Sequence, residues 1–140
     1  MFDHIGIVVG DLRKSASLYG RILAPLGLKI LEKHRRGPGD GWVVISTGRP
    51  ASPFFVVAAG KPSFWPEDAR PAMSPVHLCF TAPSKSAVDA FHRLGVAHGA
   101  KDNGAPGIRR APFYCAFIID YDGNNVEAGC YLETDSIAAL

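Results

Sequence analysis

Two short apolar segments with the same pattern constrain the fold of this chain more than any other feature. Residues 2–9 (FDHIGIVV) and 75–82 (PVHLCFTA) both have the composition of strands, and each has a histidine at its third position. His4 and His77 are therefore 73 residues apart. Side chains alternate along a strand, so each histidine lies on the face opposite its apolar neighbours. This pattern predicts an internal repeat of two similar modules.

A helix is expected after each of these two strands. Asp11 can cap the first helix, and Pro25 and Gly27 end it. Either Ser84 or Ser86 can cap the second helix. Both helices carry an apolar stripe at helical spacing, formed by Leu12, Ala16, Tyr19 and Leu23 in the first and by Ala87, Phe91 and Leu94 in the second.

Further apolar runs complete the two modules. They predict strands at residues 28–34, 42–47, 54–59, 112–119 and 126–132. The segments 36–41 and 102–110 are rich in glycine and proline and are predicted to be loops. Residues 61–74 are predicted to form a connector that contains the packed aromatic pair Phe64 and Trp65. The last residues, 136–140, are expected to form a loose tail.

The repeat predicts an α+β fold within a single domain spanning residues 1–140. Module 1 covers about residues 1–60 and module 2 about residues 75–132. Two βαβββ modules would pair into a curved, mostly antiparallel sheet with the helices on its outer side. The strand faces that carry His4, His77 and Glu127 would then line the concave side.

The composition excludes several classes of function. A net charge of +2 is too small to indicate nucleic-acid binding. The longest wholly apolar run, residues 54–59, is much shorter than a membrane span, and no signal peptide is visible. The cysteines Cys79, Cys115 and Cys130 lack a CxxC spacing and indicate buried thiols in a reducing compartment. We therefore expect a soluble cytoplasmic protein without nucleic-acid or membrane partners.

Residues 120–130 (DYDGNNVEAGC) combine a tight turn with a carboxylate inside an apolar strand. Glycine and asparagine tolerate the backbone of a sharp reversal, so the turn lies at residues 122–125. Glu127 follows between Val126 and Ala128. A surface glutamate on an exposed sheet face is one interpretation of this stretch. A buried carboxylate would need a partner, because burial of an unpaired charge is costly.

Three motifs together resemble the vicinal oxygen chelate superfamily, which includes glyoxalase I, extradiol dioxygenases and bleomycin-resistance proteins. They are DHIGIVVGDLRKSASLYG at residues 3–20, SPVHLCF at residues 74–80 and FIIDYDGNNVEAGC at residues 117–130. The resemblance covers essentially the whole chain, and it is closest to a large, poorly characterised glyoxalase-like branch. It implies paired βαβββ modules around a metal site.

The resemblance also implies a set of metal ligands. The ligands of the two first strands fall on His4 and His77, and the carboxylate of the last strand falls on Glu127, which would also be the catalytic base. Two imidazoles and one carboxylate suit one divalent ion such as iron, manganese, nickel or zinc. Glyoxalase I members have a fourth ligand, a carboxylate on the last strand of module 1, but residues 54–59 contain no acid.

Five residues are candidates for contact with a substrate. Phe113 and Tyr114 would form a wall of the pocket or be ordinary strand aromatics. Arg109 and Arg110 would suit an anionic substrate group, although the sequence favours a solvated loop for them. Trp42 would line the cavity or belong to the core.

Two functions follow from these expectations. The first is a metal-dependent lyase, isomerase or dioxygenase that acts on a small substrate with vicinal oxygens. The second is a metal-independent protein that binds a small molecule, as bleomycin-resistance proteins do. The chain has two tryptophans and no acidic cluster, which disfavours drug sequestration. The resemblance implies a homodimer in either case.

Overall fold

A computed structural model of the chain describes residues 2–61 and 75–133. Helix α1 spans Leu12–Ile22 and helix α2 spans Lys85–Ala97, and a short 3₁₀ turn follows α1 at Ala24–Leu26. The strands are β1 (His4–Val8), β2 (Lys29–Gly37), β3 (Asp40–Ser46), β4 (Phe54–Ala59), β5 (His77–Thr81), β6 (Lys101–Arg110), β7 (Phe113–Ile119) and β8 (Asn125–Tyr131).

The strands form two four-stranded sheets with the same topology. Their orders are β1-β4-β3-β2 and β5-β8-β7-β6. The pairs β1–β4 and β5–β8 are parallel, and all other pairs are antiparallel. The α+β fold of two βαβββ modules is therefore confirmed, with one sheet in each module.

Both helices lie between the two sheets in one continuous core. The ring of Tyr19 on α1 lies 5.2 Å from Phe55 on β4, and Phe55 lies 5.4 Å from Phe80 on β5. α1 packs against α2, and buried residues of both modules belong to this one cluster. The two helix-covered sheet faces therefore point towards each other. The opposite face of each sheet carries no helix and points away from this core. We call it the outer face; it is the face that was expected from the sequence to line the concave side.

The predicted helix signals are confirmed. Asp11 accepts a hydrogen bond from the Lys14 backbone N–H, and Ser84, rather than Ser86, caps α2. Tyr19 and Phe91 from the two apolar stripes are fully buried. Leu12 and Ala16 of the first stripe are only partly buried, because the buried face of α1 is formed by Ser15, Leu18, Tyr19 and Ile22. These local patterns are sufficient to place both helices because burial of an amphipathic face contributes most of a short helix's stability.

The loop prediction for residues 102–110 is wrong, because this segment is the edge strand β6. Its register against β7 is irregular: Gly104 pairs with Phe117 and Gly107 pairs with Cys115. Three residues on β6 therefore match two on β7, and such bulges accommodate glycine in a strand. Proline is also tolerated at a sheet edge, where its missing N–H has no pairing partner to lose.

The loop predicted at residues 36–41 is also much shorter than expected. β2 continues to Gly37 and β3 begins at Asp40, which leaves a two-residue hairpin turn. Gly39 has φ 69°, a conformation that glycine adopts without strain.

Two predicted segments fall largely outside the described residues. They are the connector at 61–74, with its aromatic pair Phe64 and Trp65, and the tail at 136–140. None of the helices in the described part of the chain is long and apolar enough to cross a membrane.

A buried carboxylate joins the two modules. Asp120, which is 6% exposed, accepts a hydrogen bond from the Tyr19 hydroxyl at 2.7 Å. It also accepts from the backbone N–H groups of Asp122 and Asn124, at 3.0 and 2.8 Å, and from the Asn124 side-chain amide at 2.8 Å. The turn between β7 and β8 is thereby fastened to α1. This network compensates for removing the charge of Asp120 from water.

Replacing Asp122 with asparagine will stabilise the protein at neutral pH. Asp122 Oδ1 accepts from the Gly10 backbone N–H at 3.0 Å, while its buried Oδ2 makes no hydrogen bond within residues 2–61 and 75–133. Burial raises the pKa of Asp122, and the charges of Asp120 and Asp11 add to this effect, against the opposing Gly10 hydrogen bond. Folding therefore favours the neutral carboxyl.

The sign of the pH dependence follows from this shift. A group with a raised folded pKa contributes stability at low pH, and this contribution is lost as the pH rises through that pKa. Asp122→Asn should therefore unfold at a higher temperature than wild type at pH 7, with the difference shrinking towards about pH 3. A melting temperature below wild type at pH 7, or a gap independent of pH, would contradict the expectation.

Candidate metal centre

A histidine and a buried carboxylate meet on the outer face of the second sheet. Glu127 of β8 is 7% exposed, and its Oε2 lies 3.1 Å from Nε2 of His77 on β5. Parallel pairing of β5 with β8 places Cys79 beside Glu127 and His77 beside Asn125, so the contact is diagonal across the two strands. The neighbours of Glu127 along β8, Val126 and Ala128, face the core. The surface-glutamate interpretation is therefore wrong.

The hydrogen bond at Nδ1 of His77 determines whether Nε2, the atom that faces Glu127, carries a proton. Nδ1 of His77 lies 3.2 Å from the Asn125 carbonyl oxygen, which can only accept, so Nδ1 carries the proton. The neutral form of His77 then directs the Nε2 lone pair at the Glu127 carboxylate. Two electron-pair donors at this distance require a cation, either a proton on Nε2 or a metal ion that both atoms bind.

The ring of His4 on the first sheet also has a hydrogen-bond partner at Nδ1. Its Nδ1 lies 2.7 Å from the Asp3 carboxylate, and its ring stacks on Phe54 with centroids 4.4 Å apart. A carboxylate on Nδ1 fixes the tautomer of a histidine and leaves Nε2 for a metal. Asp3 was not anticipated from the sequence, although its position directly before His4 was a visible signal.

One chain does not bring His4 together with His77 and Glu127. His4 lies on the outer face of the first sheet beside Phe54, and the other two residues lie on the outer face of the second sheet. Within residues 2–61 and 75–133, no group of three or more His, Cys, Asp or Glu side chains is placed to hold a metal ion. Each chain therefore carries the His77–Glu127 pair on the outer face of the second sheet and His4 alone on the outer face of the first sheet.

Two thiols border Glu127. Cys115 and Cys130 are buried as expected, but Cys79 is exposed. Partial desolvation of its thiol still raises the pKa of Cys79 to about 12, and the charge of Glu127 and a hydrogen bond to it add to the shift. Burial likewise raises the pKa of Cys115 to about 11, again with contributions from Glu127. Both thiols are therefore neutral at pH 7. They can donate to the carboxylate, but neither is poised to act as a nucleophile.

The His77–Glu127 pair lies in an open cavity of about 610 Å³ on this face. Phe113, Arg109 and Arg110, three of the residues suggested from the sequence for contact with a substrate, line it. The remaining lining residues are His77, Cys79, Thr81, Cys115, Phe117, Glu127, Gly129 and Tyr131. Phe117 was missed, although its spacing from Phe113 along β7 placed both on one face.

Tyr114 and Trp42 lie elsewhere. The Tyr114 hydroxyl donates to Asp89 of α2 at 2.6 Å, and Lys85 lies over its ring, so Tyr114 contacts the helix side of the sheet. Phe113 and Tyr114 are adjacent on the regularly paired strand β7 and face opposite ways, which separates Tyr114 from the cavity. Arg109 and Arg110 are also adjacent, but the register of β6 shifts between Ile108 and Arg110, and both line the cavity. Trp42 belongs to β3 of the first sheet, where it stacks on His34 with centroids 4.6 Å apart.

The symmetry of the modules identifies the residue of module 1 that is equivalent to Glu127. Glu127 pairs with Cys79, two residues after His77. At the equivalent place in module 1, Val56 pairs with Gly6, two residues after His4. Val56 therefore occupies the position that Glu127 has in module 2, and module 1 offers no carboxylate there.

A family model supports the relationship suggested by the motifs. The model of the Glyoxalase/Bleomycin resistance protein/Dioxygenase superfamily matches residues 1–128. The chain belongs to this superfamily. The membership accounts for the two βαβββ modules. No curated protein matches the chain.

Solved structures extend the comparison. The chain is 28% identical to a glyoxalase/bleomycin resistance protein from Albidiferax ferrireducens T118, with a TM-score of 0.70 over 94% of this chain and 99% of that one. A lactoylglutathione lyase from Agrobacterium tumefaciens is 23% identical, with a TM-score of 0.62 over 93% and 92% of the two chains. TioX from Micromonospora sp. ML1 is 14% identical, with a TM-score of 0.67 over 94% and 99%. The last two show a shared fold alone.

Proposed function

We propose that this superfamily member is a divalent-metal-dependent enzyme whose site is assembled from two copies of the chain. His77 and Glu127 of one copy and His4 of the other would hold the metal, and the substrate would be a small molecule with vicinal oxygen atoms. The observation that carries the proposal is the approach of His77 Nε2 and Glu127 Oε2 to 3.1 Å, with the other ring nitrogen bonded to a carbonyl.

The donor set fits such an ion. Two neutral imidazoles and one carboxylate are suitable ligands for iron, manganese, nickel or zinc, and they leave coordination positions open for substrate oxygens. Asp3 and the Asn125 carbonyl orient the two rings, as partners of metal-bound histidines commonly do. When bound, the metal supplies Lewis-acid stabilisation of negative charge on substrate oxygens.

The arrangement of the modules favours a second copy of the chain as the source of His4. Within one chain the outer faces point away from each other, so His4 of the same chain is badly placed to join the pair. Both β1 and β5 are edge strands, and the apolar side chains of Phe2, Ile5 and Val76 are exposed at or beside them. Pairing module 1 of one copy with module 2 of another would cover these residues. It would also place His4 opposite Glu127.

Glu127 is the residue we assign to proton transfer. With Val56 at the equivalent place in module 1, Glu127 is the one carboxylate available at these two symmetric positions. It is buried at the floor of the cavity, where a proton acceptor is protected from bulk water. A lyase or isomerase would use it to take a proton from carbon beside the coordinated oxygens. The neutral thiols of Cys79 and Cys115 do not compete for this role.

A metal-independent binding protein is the second candidate. It is favoured by the separation of His4 from the His77–Glu127 pair within the described part of one chain. A proton on His77 would then satisfy Glu127, and the cavity would hold its ligand through its arginines and aromatic rings alone.

A mixed dimer of two defective chains tests both proposals. His4→Ala and Glu127→Gln chains with different affinity tags would be co-expressed, and the dimer carrying both tags would be isolated. If each site takes His4 from one copy and Glu127 from the other, one of its two sites is intact. We expect about 0.5 metal per chain in the mixed dimer, about 1 in wild type and close to 0 in each parent.

The other outcomes are equally informative. A mixed dimer as metal-poor as its parents, from a wild type that binds metal, would place the site within one chain. A wild type that binds no metal after reconstitution would support the metal-independent binding protein. Elemental analysis of chelator-free preparations gives the metal content in every case.

A further inference from the structure

Two arginines give the cavity a positive rim opposite its carboxylate floor. Arg109 and Arg110, at the end of β6, both line the cavity. Neither forms an ion pair with any carboxylate of residues 2–61 and 75–133.

The two glycines of the DNGAPGIRR segment leave space that the Arg109 side chain occupies. Its Nη2 donates to the Ala105 carbonyl at 2.7 Å. A Cβ added at Gly104 would lie 3.4 Å from Nη2, and one added at Gly107 would lie 3.5 Å from Nη1. The guanidinium therefore lies over two residues that have no side chain. This placement restricts the arginine before any ligand arrives, which lowers the entropic cost of binding.

An aromatic wall adjoins the arginines. The ring of Phe113 lies directly on Gly129, so that a Cβ at this position would overlap the ring. Phe113 also packs against Tyr131 with centroids 4.9 Å apart, and the Arg110 guanidinium lies 5.9 Å from its centroid. Phe117 continues the wall towards His77, with centroids 6.3 Å apart.

We propose that the cavity selects an aromatic carboxylate. The carboxylate would bind Arg109 and Arg110 at the rim through charge-assisted hydrogen bonds, and the planar body would lie along Phe113 and Phe117. The opposite end would then point at Glu127. This inference deepens the proposed function and rests on it for the identity of the cavity as the substrate site. The contacts to the arginines and the aromatic wall themselves require no metal.

An experiment on metal-free protein tests the aromatic-carboxylate proposal independently of the proposed metal site. Chelator-treated wild type would be titrated calorimetrically with 2-naphthoate and with its neutral analogue 2-naphthamide, neither of which has vicinal oxygens. We expect 2-naphthoate to bind about tenfold more tightly, equal to about 1.4 kcal/mol. The preference should fall below about twofold in the Arg109→Gln/Arg110→Gln double variant and should shrink with added salt.

Two further variants keep the test specific. Arg93→Gln removes one positive charge from an exposed position on α2, outside the cavity, and should leave the preference unchanged. Gly129→Ala should force the Phe113 ring to move and weaken both probes together. Equal affinity for the two probes in wild type, absence of binding, or an equal effect of Arg93→Gln would overturn the proposal. Circular dichroism of each variant would establish that it is folded.

Discussion

At the proposed metal site, we expect Glu127→Gln to abolish metal binding while preserving the shape of the side chain. The amide lacks the negative charge that pairs with a divalent ion, and its Nε2 would lie where the carboxylate Oε2 faces His77 at 3.1 Å. Removal of a group that only orients a metal ligand costs roughly 10–100-fold in affinity, so loss of a ligand should cost roughly 100-fold or more. Calorimetric titration with nickel or zinc and elemental analysis would measure the loss.

Asp102→Asn provides the matched control. Asp102 forms another histidine–carboxylate pair, with Nε2 of His92 at 2.9 Å, and this pair does not line the cavity. The same chemical change should therefore leave metal binding as in wild type. If Glu127→Gln retains wild-type metal affinity, or if both variants lose it equally, the His77–Glu127 pair is not the centre of the site.

Asp120→Ala is expected to be the most destabilising single substitution in the β7–β8 turn. It removes the acceptor for the Tyr19 hydroxyl, for two backbone N–H groups and for the Asn124 amide. Donors left unsatisfied in a buried place cost about 1–3 kcal/mol each, with some relief by water. We expect the free energy of unfolding to fall by about 3–5 kcal/mol, measured by urea denaturation.

Two tyrosine variants compare how much a buried and an exposed tyrosine–carboxylate hydrogen bond contribute to the free energy of unfolding. Tyr19→Phe breaks a fully buried bond of 2.7 Å, while Tyr114→Phe breaks an exposed bond of 2.6 Å to Asp89. We expect losses of about 2 kcal/mol for Tyr19→Phe and about 0.5 kcal/mol for Tyr114→Phe. Equal losses would show that burial at Asp120 adds nothing, and the explanation of how the modules are joined would fail.

The sequence determined the features that depend on neighbours along the chain. The repeat of His4 and His77, the apolar stripes of both helices and the turn before Glu127 are local patterns, and each element formed where its pattern predicted. Alternation along a strand was sufficient to place His77 and Glu127 on one face. Alternation also separates Tyr114 from Phe113, so the sequence was sufficient to predict that only one of them lines the cavity.

Tertiary structure decided what depends on long-range pairing. Residues 102–110 looked like a loop because glycine and proline disfavour regular strands, but pairing with β7 and bulges at its glycines made them β6. Pairing between β5 and β8 set the 3.1 Å approach of His77 to Glu127. The packing of both helices between the sheets turned His4 away from that pair. Local periodicity carries no information on which faces meet, because the burial that selects them comes from residues far apart in the chain.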